Sequence, residues 1–271
     1  MNRMKELFGV EKPIIALLHI GALPGDPGYD YEKGMDHVLN NARKDLAALQ
    51  GGGVDGILFS NEYSQPYQRK VDCVTPCAMA RVISELRREM AVPFGVHVIS
   101  DPSATIELAA AVDARFVRSI FSGVYAGEMG IRDNDIAKLI RRKNELRLYD
   151  LKMFYMINSE SDGDLSNRSL ADIAQAIIVK CKPDGLCVSG KSAGNEADSE
   201  LIASVRMVAR TTPVLCNTGV RCDNVTEKLS VSDGAFIGTT FKYDGIFENA
   251  VDESRVRCFM DRVKAYREDR V

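Results

Sequence analysis

Several features are missing from this 271-residue sequence, and each absence excludes a class of protein. No apolar run reaches the roughly 18 residues that a membrane-spanning helix requires. The net charge of −3 provides no overall attraction to polyanions, so we do not expect general nucleic-acid binding. The seven cysteines are odd in number and lack the spacing of a disulfide framework. We therefore expect reduced thiols and a cytoplasmic protein.

Familiar short motifs are also absent. No G-x-G-x-x-G follows the first predicted strand, which argues against a dinucleotide-binding sheet. The sequence has neither an H-E-x-x-H zinc motif nor a G-x-S-x-G nucleophile elbow. No shift of composition and no short-period repeat divides the chain, and 45% hydrophobic residues suffice for a sizeable core. We therefore expect one domain over residues 1–271.

Short apolar runs alternate with amphipathic segments eight times along the chain. The runs predict strands at residues 13–19, 54–60, 93–99, 115–120, 152–157, 185–189, 214–216 and 235–237. We interpret residues 123–130 and 158–167 as loops and residues 132–147 as a charged helix. Strand–helix alternation indicates parallel βαβ units, and eight units in about 260 residues match a (β/α)₈ TIM barrel. An open, doubly wound sheet is the alternative.

The last two predicted strands each lead into a turn that contains glycine. Glycine allows backbone N–H groups to approach an anion closely, and the loops after strands 7 and 8 often bind phosphate in TIM barrels. We therefore predict a phosphate site that Lys191 and Gly194 could extend, although these glycines could instead only shape tight turns. The site comprises Ser189, Gly190, Asn217, Gly219, Gly238 and Thr239.

Polar residues also lie near the ends of the earlier predicted strands, where a barrel places its chemistry. His19 and Glu62 are general acid–base types, and Asn61 could orient a hydroxyl group. Arg118 ends a buried strand, and an inward guanidinium needs an anionic partner, either Glu62 or a substrate. We expect His19, Asn61, Glu62 and Arg118 to form the catalytic group. A backbone-bonded histidine and a loop ion pair are the structural alternatives.

Four residues have side chains that can bind a divalent metal, namely His19, Glu62, His97 and Asp101. No local motif groups them, so we assign no metal site, although a divalent metal is compatible with these types. His97 lies within its strand and could face the barrel interior or a helix. Asp101 precedes Pro102, where it could cap the following helix.

The chain resembles the BtpA/SgcQ family of TIM-barrel proteins over nearly its whole length. The segments that carry the resemblance include AxxHIGALPGDP at residues 16–27, GGVDGILFSNEYSQPY at 52–67, PFGVHVISDP at 93–102, NTGVRCDNV at 217–225 and DGAFIGTTFKYDG at 233–245. The S-N-E and N-T-G-V forms are most similar to the SgcQ branch, which is associated with sugar-uptake gene clusters. The resemblance implies a phosphate-binding barrel without an agreed activity.

Together, these observations predict an enzyme that acts on a phosphorylated sugar or a related small metabolite. Isomerase, epimerase and aldolase chemistry all fit the predicted residues, and a homo-oligomer is compatible with the sequence. A Schiff-base lysine is not evident, because Lys152 begins its strand and lies at the wrong end. The alternatives are a non-catalytic assembly factor of a membrane complex, as the BtpA branch implies, and a phosphohydrolase.

Overall fold

A computed structural model describes residues 3–190 and 195–269, so Lys191 and Gly194 lie outside the described residues. The strands are β1 Ile14–His19, β2 Gly56–Ser60, β3 Phe94–His97, β4 Phe116–Ser119, β5 Gly123–Gly127, β6 Gly130–Asn134, β7 Lys152–Met156, β8 Gly163–Asp164, β9 Gly185–Val188, β10 Val214–Cys216 and β11 Ala235–Ile237. The helices are α1 Arg3–Phe8, α2 Gly34–Gly51, α3 Val74–Leu86, α4 Pro102–Val112, α5 Ile136–Glu145, α6 Leu170–Cys181, α7 Ser199–Ala209, α8 Val225–Val231 and α9 Glu253–Glu268. Short 3₁₀ turns span Arg87–Glu89, Thr239–Phe241 and Tyr243–Gly245.

Eight of the strands form a closed parallel barrel in the order β1-β11-β10-β9-β7-β4-β3-β2. The first strand closes the barrel, because Ile15 pairs with Gly56 of β2 on one side and with Phe236 of β11 on the other. All eight barrel strands lie within the predicted ranges, and the predicted (β/α)₈ TIM barrel is confirmed. Strands β10 and β11 are its seventh and eighth strands. Each helix within the described ranges is too short or too polar to cross a bilayer.

Two predicted regions are wrong in part, and one of them is the predicted loop at residues 158–167, which contains strand β8. Residues 123–130 are not a loop, and the predicted helix over 132–147 begins too early. Strands β5 and β6 form an antiparallel hairpin, and β8 pairs with the other edge of β5. Helix α5 begins only at Ile136, because the Asp135 side chain accepts a hydrogen bond from Lys138 N–H and caps it. We call β5, β6 and β8 the accessory sheet; its strands follow β4 and β7 at the carboxyl end of the barrel.

The amino end of the barrel is closed by α1, which the sequence analysis did not predict. Phe8 of this helix packs against Phe116 and Phe154, with ring centroids 5.4 and 6.4 Å apart. Gly56 leaves the space for it, because a Cβ atom there would lie 2.7 Å from the Phe8 ring. Because this end is filled with apolar side chains, the carboxyl end is where a ligand can enter.

An Asp-Gly pair stands at the beginning of three barrel strands. In each pair the aspartate side chain accepts a hydrogen bond from the backbone of a neighbouring strand. The carboxylates of Asp55, Asp184 and Asp233 accept hydrogen bonds from the backbone N–H groups of Ile14, Met153 and Val214, at 2.7, 2.9 and 3.0 Å. Each bond joins the amino ends of two neighbouring strands. These bonds stabilise the strand register at the end of the barrel opposite the candidate site.

Candidate functional site

The carboxyl end of the barrel interior carries a layer of buried polar side chains. Side chains two residues apart share one face of a strand. Arg118 follows Phe116 by two residues, and Asn217 follows Leu215 in the same way. Both Phe116 and Leu215 belong to the apolar cluster inside the barrel, so Arg118 and Asn217 also point inward. The contacts of His97 with Arg118 place it in this layer as well.

Hydrogen bonds connect the layer across the barrel. Arg118 Nη1 donates to Asn217 Oδ1 at 2.8 Å, and Arg118 Nη2 lies 3.3 Å from His97 Nδ1. A guanidinium can only donate, so His97 Nδ1 accepts and the ring carries its proton on Nε2. Asn217 Nδ2 donates to Ser189 Oγ at 2.8 Å. Arg118 is therefore positioned from both sides.

Arg118 is a buried cation that no carboxylate contacts. Its side chain is 4% exposed, and among the described residues no acidic oxygen lies within 4.0 Å of it and its Nε has no hydrogen-bond partner. The guanidinium carbon lies 5.0 Å above the Phe236 ring. A buried charge without a bonded counter-ion is costly, so Arg118 provides a site for an anionic ligand or for developing negative charge.

A cavity of about 920 Å³ opens above this layer at the carboxyl end of the barrel. Its wall includes Arg118, His19, Glu62 and Glu160. The residues of the predicted phosphate site that line it are Asn217, Gly219, Gly238 and Thr239. This volume is within the range of small-molecule sites in proteins.

Glu62 follows β2 and is held by two hydroxyl groups. Ser60 Oγ donates to Glu62 Oε1 at 3.3 Å, and the Tyr67 hydroxyl donates to Glu62 Oε2 at 3.2 Å. Burial raises the pKa of Glu62, and the positive charge of Arg118 partly opposes that rise. A carboxylate with a raised pKa is a stronger base than an exposed one, which suits proton abstraction.

Glu160 is a residue of this site that the sequence analysis missed. It lies in the loop after β7, and its Oε1 accepts a hydrogen bond from Asn217 Nδ2 at 3.3 Å. Burial raises the pKa of Glu160 to about 7; Arg118 opposes that rise, and the charge of Glu62 adds to it. The loop's position after a barrel strand was the signal that could have identified it, because such loops form the active sites of TIM barrels.

His19 ends β1 and faces the cavity with both ring nitrogens lacking a hydrogen-bond partner among the described residues. Burial lowers the pKa of His19 well below its usual value, and the charges of Lys242 and Arg118 lower it further. The ring is therefore neutral at physiological pH. It packs against Phe247, with ring centroids 5.4 Å apart, and can serve as a hydrogen-bond donor to a ligand.

The loops after β10 and β11 lie side by side, because Thr240 Oγ1 donates to Val220 O at 2.8 Å. The backbone N–H groups of Gly219, Gly238 and Thr239 donate no hydrogen bond to the described residues. Gly219 has φ +68°, and a Cβ atom there would lie 2.2 Å from Glu196 Cα, so only glycine fits. Free N–H groups on adjacent loops can bind an anion such as phosphate.

A sequence model of the BtpA family matches residues 10–265. The chain belongs to the BtpA family. It is 45% identical over 263 residues to the sgc region protein SgcQ of Escherichia coli K12, covering 97% of this chain and 98% of that protein. It is 25% identical over 259 residues to the photosystem I biogenesis protein BtpA of Synechocystis, covering 94% and 89% respectively. The predicted family is thereby confirmed.

A solved structure supports the fold of this BtpA-family chain. The (S)-3-O-geranylgeranylglyceryl phosphate synthase of Thermoplasma acidophilum, in complex with sn-glycerol-1-phosphate, superposes with a TM-score of 0.62. The alignment covers 98% of this chain and 97% of that one at 12% sequence identity. At this identity the likeness shows a shared barrel fold.

In this BtpA-family protein, three of the predicted residues do not reach the cavity. Asn61 is buried, and its Oδ1 accepts a hydrogen bond from Ile99 N–H at 2.8 Å, so it joins the ends of β2 and β3. Gly190 N–H donates to Thr218 Oγ1 at 2.6 Å. Ser189 N–H donates to Asn158 Oδ1 at 2.9 Å, and none of the three residues lines the cavity wall. Their observed contacts are structural.

The four residues of metal-ligand type do not assemble. Asp101 caps α4 by accepting a hydrogen bond from Ala104 N–H at 2.9 Å, which confirms the predicted cap, and it also accepts one from Val71 N–H at 3.0 Å. His97 directs Nδ1 at Arg118. Within residues 3–190 and 195–269, no group of three or more histidine, cysteine or acidic side chains is arranged to hold a metal ion.

Proposed function

We propose that the protein is an enzyme that transfers a proton on a phosphorylated sugar or a related small metabolite. The observation that carries this proposal is the environment of Arg118, a buried guanidinium that no carboxylate of residues 3–190 and 195–269 contacts. It shares one cavity with acid–base side chains and with free backbone N–H groups. Catalysis of proton transfer next to a carbonyl group requires all three elements: a base, a cation for the oxyanion and a site that anchors the substrate.

Each element has a candidate role. The N–H groups of Gly219, Gly238 and Thr239 bind the phosphate, which anchors the substrate without taking part in the reaction. Glu62 removes a proton from a carbon next to the substrate carbonyl. Arg118 stabilises the resulting enediolate, and neutral His19 donates a hydrogen bond to the substrate.

Isomerase, epimerase and aldolase reactions all pass through such an intermediate. A Schiff-base route has no support from the described residues, since no lysine among them lines the cavity. Lys242 is buried and engaged elsewhere, because its Nζ donates to the Tyr63 hydroxyl at 2.8 Å and to Asn249 O at 2.9 Å. The proposal therefore favours direct proton abstraction over an imine intermediate.

Thermal-shift measurements with inorganic phosphate and a panel of phosphorylated sugars, with and without divalent metal ions, test the proposal. Ligands that raise the melting temperature are then incubated with the enzyme in ²H₂O, and deuterium incorporation is followed by NMR. We expect Glu62→Gln to abolish incorporation into the sugar from which Glu62 removes the proton, whereas Asp150→Asn, an exposed control before β7, keeps it. Absence of phosphate binding and of deuterium incorporation across the panel would contradict the proposal.

The second candidate is a non-catalytic assembly factor of a membrane complex, since the Synechocystis relative is named a photosystem I biogenesis protein. The observation that favours it is a group of exposed apolar side chains on and beside the accessory sheet, namely Val124, Ile131 and Leu165 at 39, 56 and 55% exposure. This function predicts that Ile131→Glu impairs the biological role while Glu62→Gln does not. Release of free phosphate in the same panel would instead indicate a phosphohydrolase.

A further inference from the structure

The loop that carries Glu160 is attached to the accessory sheet on both sides of that residue. Asp162 forms an ion pair with Arg132 of β6 at 2.6 Å, and the two side chains are only 2 and 14% exposed. Ser159 Oγ donates to Asp162 Oδ2 at 3.0 Å. A Cβ atom on Gly127 would lie 2.3 Å from Asp162 Oδ1, so β5 approaches the loop more closely than any other residue type would allow.

The sheet is in turn attached to the barrel. The buried Tyr125 of β5 donates a hydrogen bond to Ile157 O, directly after β7, at 3.2 Å. Asp164 and Gly163 pair with β5 through their backbone, which fixes the far side of the loop. A loop at the mouth of a barrel is ordinarily held by few contacts. Here a buried ion pair and the accessory sheet hold the loop, so the position of Glu160 in the cavity is fixed.

Glu62 and Glu160 enter the cavity from different sides. Glu62 follows β2 and Glu160 follows β7, and these strands are three places apart in the eight-stranded barrel, separated by β3 and β4. The Glu160 carboxyl accepts a hydrogen bond from Asn217, which also binds Arg118. A substrate held beside Arg118 therefore lies in a cavity that two carboxyl groups line from different strands.

We infer that Glu160 is a second proton-transfer residue acting with Glu62, and that the accessory sheet positions it. This inference rests on the proposed function and narrows it to reactions in which a proton leaves one face of the substrate and another is delivered to the opposite face. Glu62 as carboxylate accepts the proton from the substrate carbon, and the C–H electron pair forms the enediolate. Glu160 as carboxylic acid then donates its proton to the same carbon from the other face, and the enediolate electron pair forms the new C–H bond. Exchange with solvent returns Glu62 to the carboxylate and Glu160 to the carboxylic acid before the next turnover. The substrate class is a phosphorylated sugar that is epimerised.

The charges around Glu160 fit this role. The charges of Arg118 on β4 and of Glu62 after β2 act on it, and Asn217, directly after β10, donates the hydrogen bond. Because burial and Glu62 favour the protonated form while Arg118 favours the carboxylate, both forms are populated near neutral pH. A residue that alternates between acid and base needs this property.

Glu160→Gln tests the inference with a phosphorylated sugar that binds and undergoes exchange in the screen above. We expect unchanged binding of inorganic phosphate by thermal shift and a loss of epimerisation of about 10²-fold or more. Deuterium should still enter the sugar from which Glu62 removes the proton, because Glu62 is intact in this variant. The epimer from which Glu160 would remove the proton should not exchange. Glu62→Gln should show the reverse, with exchange confined to the other sugar.

Asp162→Asn tests the positioning role of the sheet. We expect lower kcat with an unchanged KM, and a shift of the pH–rate profile, because Glu160 loses its place beside Arg118. Arg132→Lys, which keeps the charge, should restore part of kcat compared with Arg132→Met. Asp36→Asn is the control, because Asp36 forms an exposed ion pair with Arg81 and does not line the cavity.

The outcomes separate this inference from the proposed function. If the unmodified protein catalyses exchange and Glu160→Gln catalyses it into both sugars at the same rate, the inference is wrong and the proposed function stands. If the unmodified protein neither binds phosphate nor catalyses exchange, the proposed function is wrong and the inference falls with it. A pH–rate profile that Asp162→Asn leaves unchanged would overturn the positioning role.

Discussion

At the scale of single residues, burial and neighbouring charge determine what each polar side chain can do. The pKa of Glu160 is raised to about 7 mainly by burial, and the pKa of His19 is lowered by burial and by Lys242 and Arg118. Arg118 influences both pKa values, and it also opposes the rise in the pKa of Glu62 that burial causes. One guanidinium therefore influences every acid–base group that we propose for catalysis.

The raised pKa of Glu160 predicts a pH-dependent stability. Between its ordinary pKa and about 7, the folded protein binds more protons at this position than the unfolded chain does. The free energy of unfolding contributed by Glu160 therefore falls as pH rises through this window. Glu160→Gln should stabilise the protein by about 1–3 kcal/mol at pH 8 and by much less at pH 5, as measured by urea unfolding. Exposed Glu85→Gln is the control, and equal effects of Glu160→Gln at the two pH values would contradict the prediction.

Removal of Arg118 should raise the pKa of Glu160 further. Arg118 is the largest influence that favours the Glu160 carboxylate, so Arg118→Met leaves burial and Glu62 unopposed. We expect the titration of the ¹³C-labelled Glu160 carboxyl, assigned with Glu160→Gln, to move to higher pH. Arg118→Lys should move it less. A titration that does not move in Arg118→Met would show that the two groups are not electrostatically coupled.

At the scale of elements, loops and the accessory sheet shape the site. The 3₁₀ turn Thr239–Phe241 and the loop after β10 lie side by side, and the N–H groups of Thr239 and Gly219 in them donate no hydrogen bond to the described residues. The accessory sheet, formed by the β5–β6 hairpin between β4 and α5 and by β8 after β7, supports the loop of Glu160. The helices form the outer layer of the barrel. The loops that follow the carboxyl ends of the strands contribute the polar groups of the candidate site.

Two glycines provide a matched test of the predicted phosphate site. Gly219 has φ +68° and Gly130 has φ +87°, so alanine is strained by about 1–2 kcal/mol at both. At Gly219 the new Cβ would also collide with the backbone of Glu196, whereas nothing lies within 4 Å at Gly130. Gly219→Ala should therefore destabilise the protein more and abolish the thermal shift by inorganic phosphate. Gly130→Ala should retain that shift, and retention in Gly219→Ala would contradict the proposed site.

At the scale of the whole molecule, one end of the barrel contains stabilising contacts and the other end contains the ligand cavity. The amino end is filled by α1, and hydrogen bonds to the carboxylates of Asp55, Asp184 and Asp233 join neighbouring strands there. Arg267, near the end of α9, forms an ion pair with Asp55 and donates to Lys12 O at 2.8 Å, which connects the last helix to the first strand. Stability is thus concentrated at one end and the ligand cavity at the other, as in other TIM barrels.

Arg267→Met should lower the stability of the protein without changing its phosphate binding. It leaves the Asp55 carboxylate partly buried without its cation, so we expect a loss of about 1–3 kcal/mol in urea unfolding. The thermal shift by inorganic phosphate should be unchanged, because the cavity is at the opposite end. Arg257→Met, in an exposed ion pair with Glu253, should cost about 0–1 kcal/mol. A weakened phosphate response in Arg267→Met would contradict this division.

The sequence predicted the barrel well and the site only in part. Parallel strands buried on both faces form continuous apolar runs, so all eight were recognisable. The hairpin was missed because its short strands lie between loop and helix signals, and β6 overlapped the predicted helix. Asn61 and Gly190 lie at the predicted strand ends, yet their hydrogen bonds are made within the protein. Glu160 lies in a polar loop that no motif distinguishes.

By itself, the sequence determined the eight strands, the outer helices, the family and the glycine turns after the last two strands. Each of these depends on patterns within a few neighbouring residues, which is why they can be recognised without coordinates. The tertiary structure alone decided that Glu62, Arg118, Glu160 and Asn217 share one cavity. These residues are far apart in the chain and meet only when the barrel closes. Their pKa shifts follow from the burial and mutual distances that closure creates.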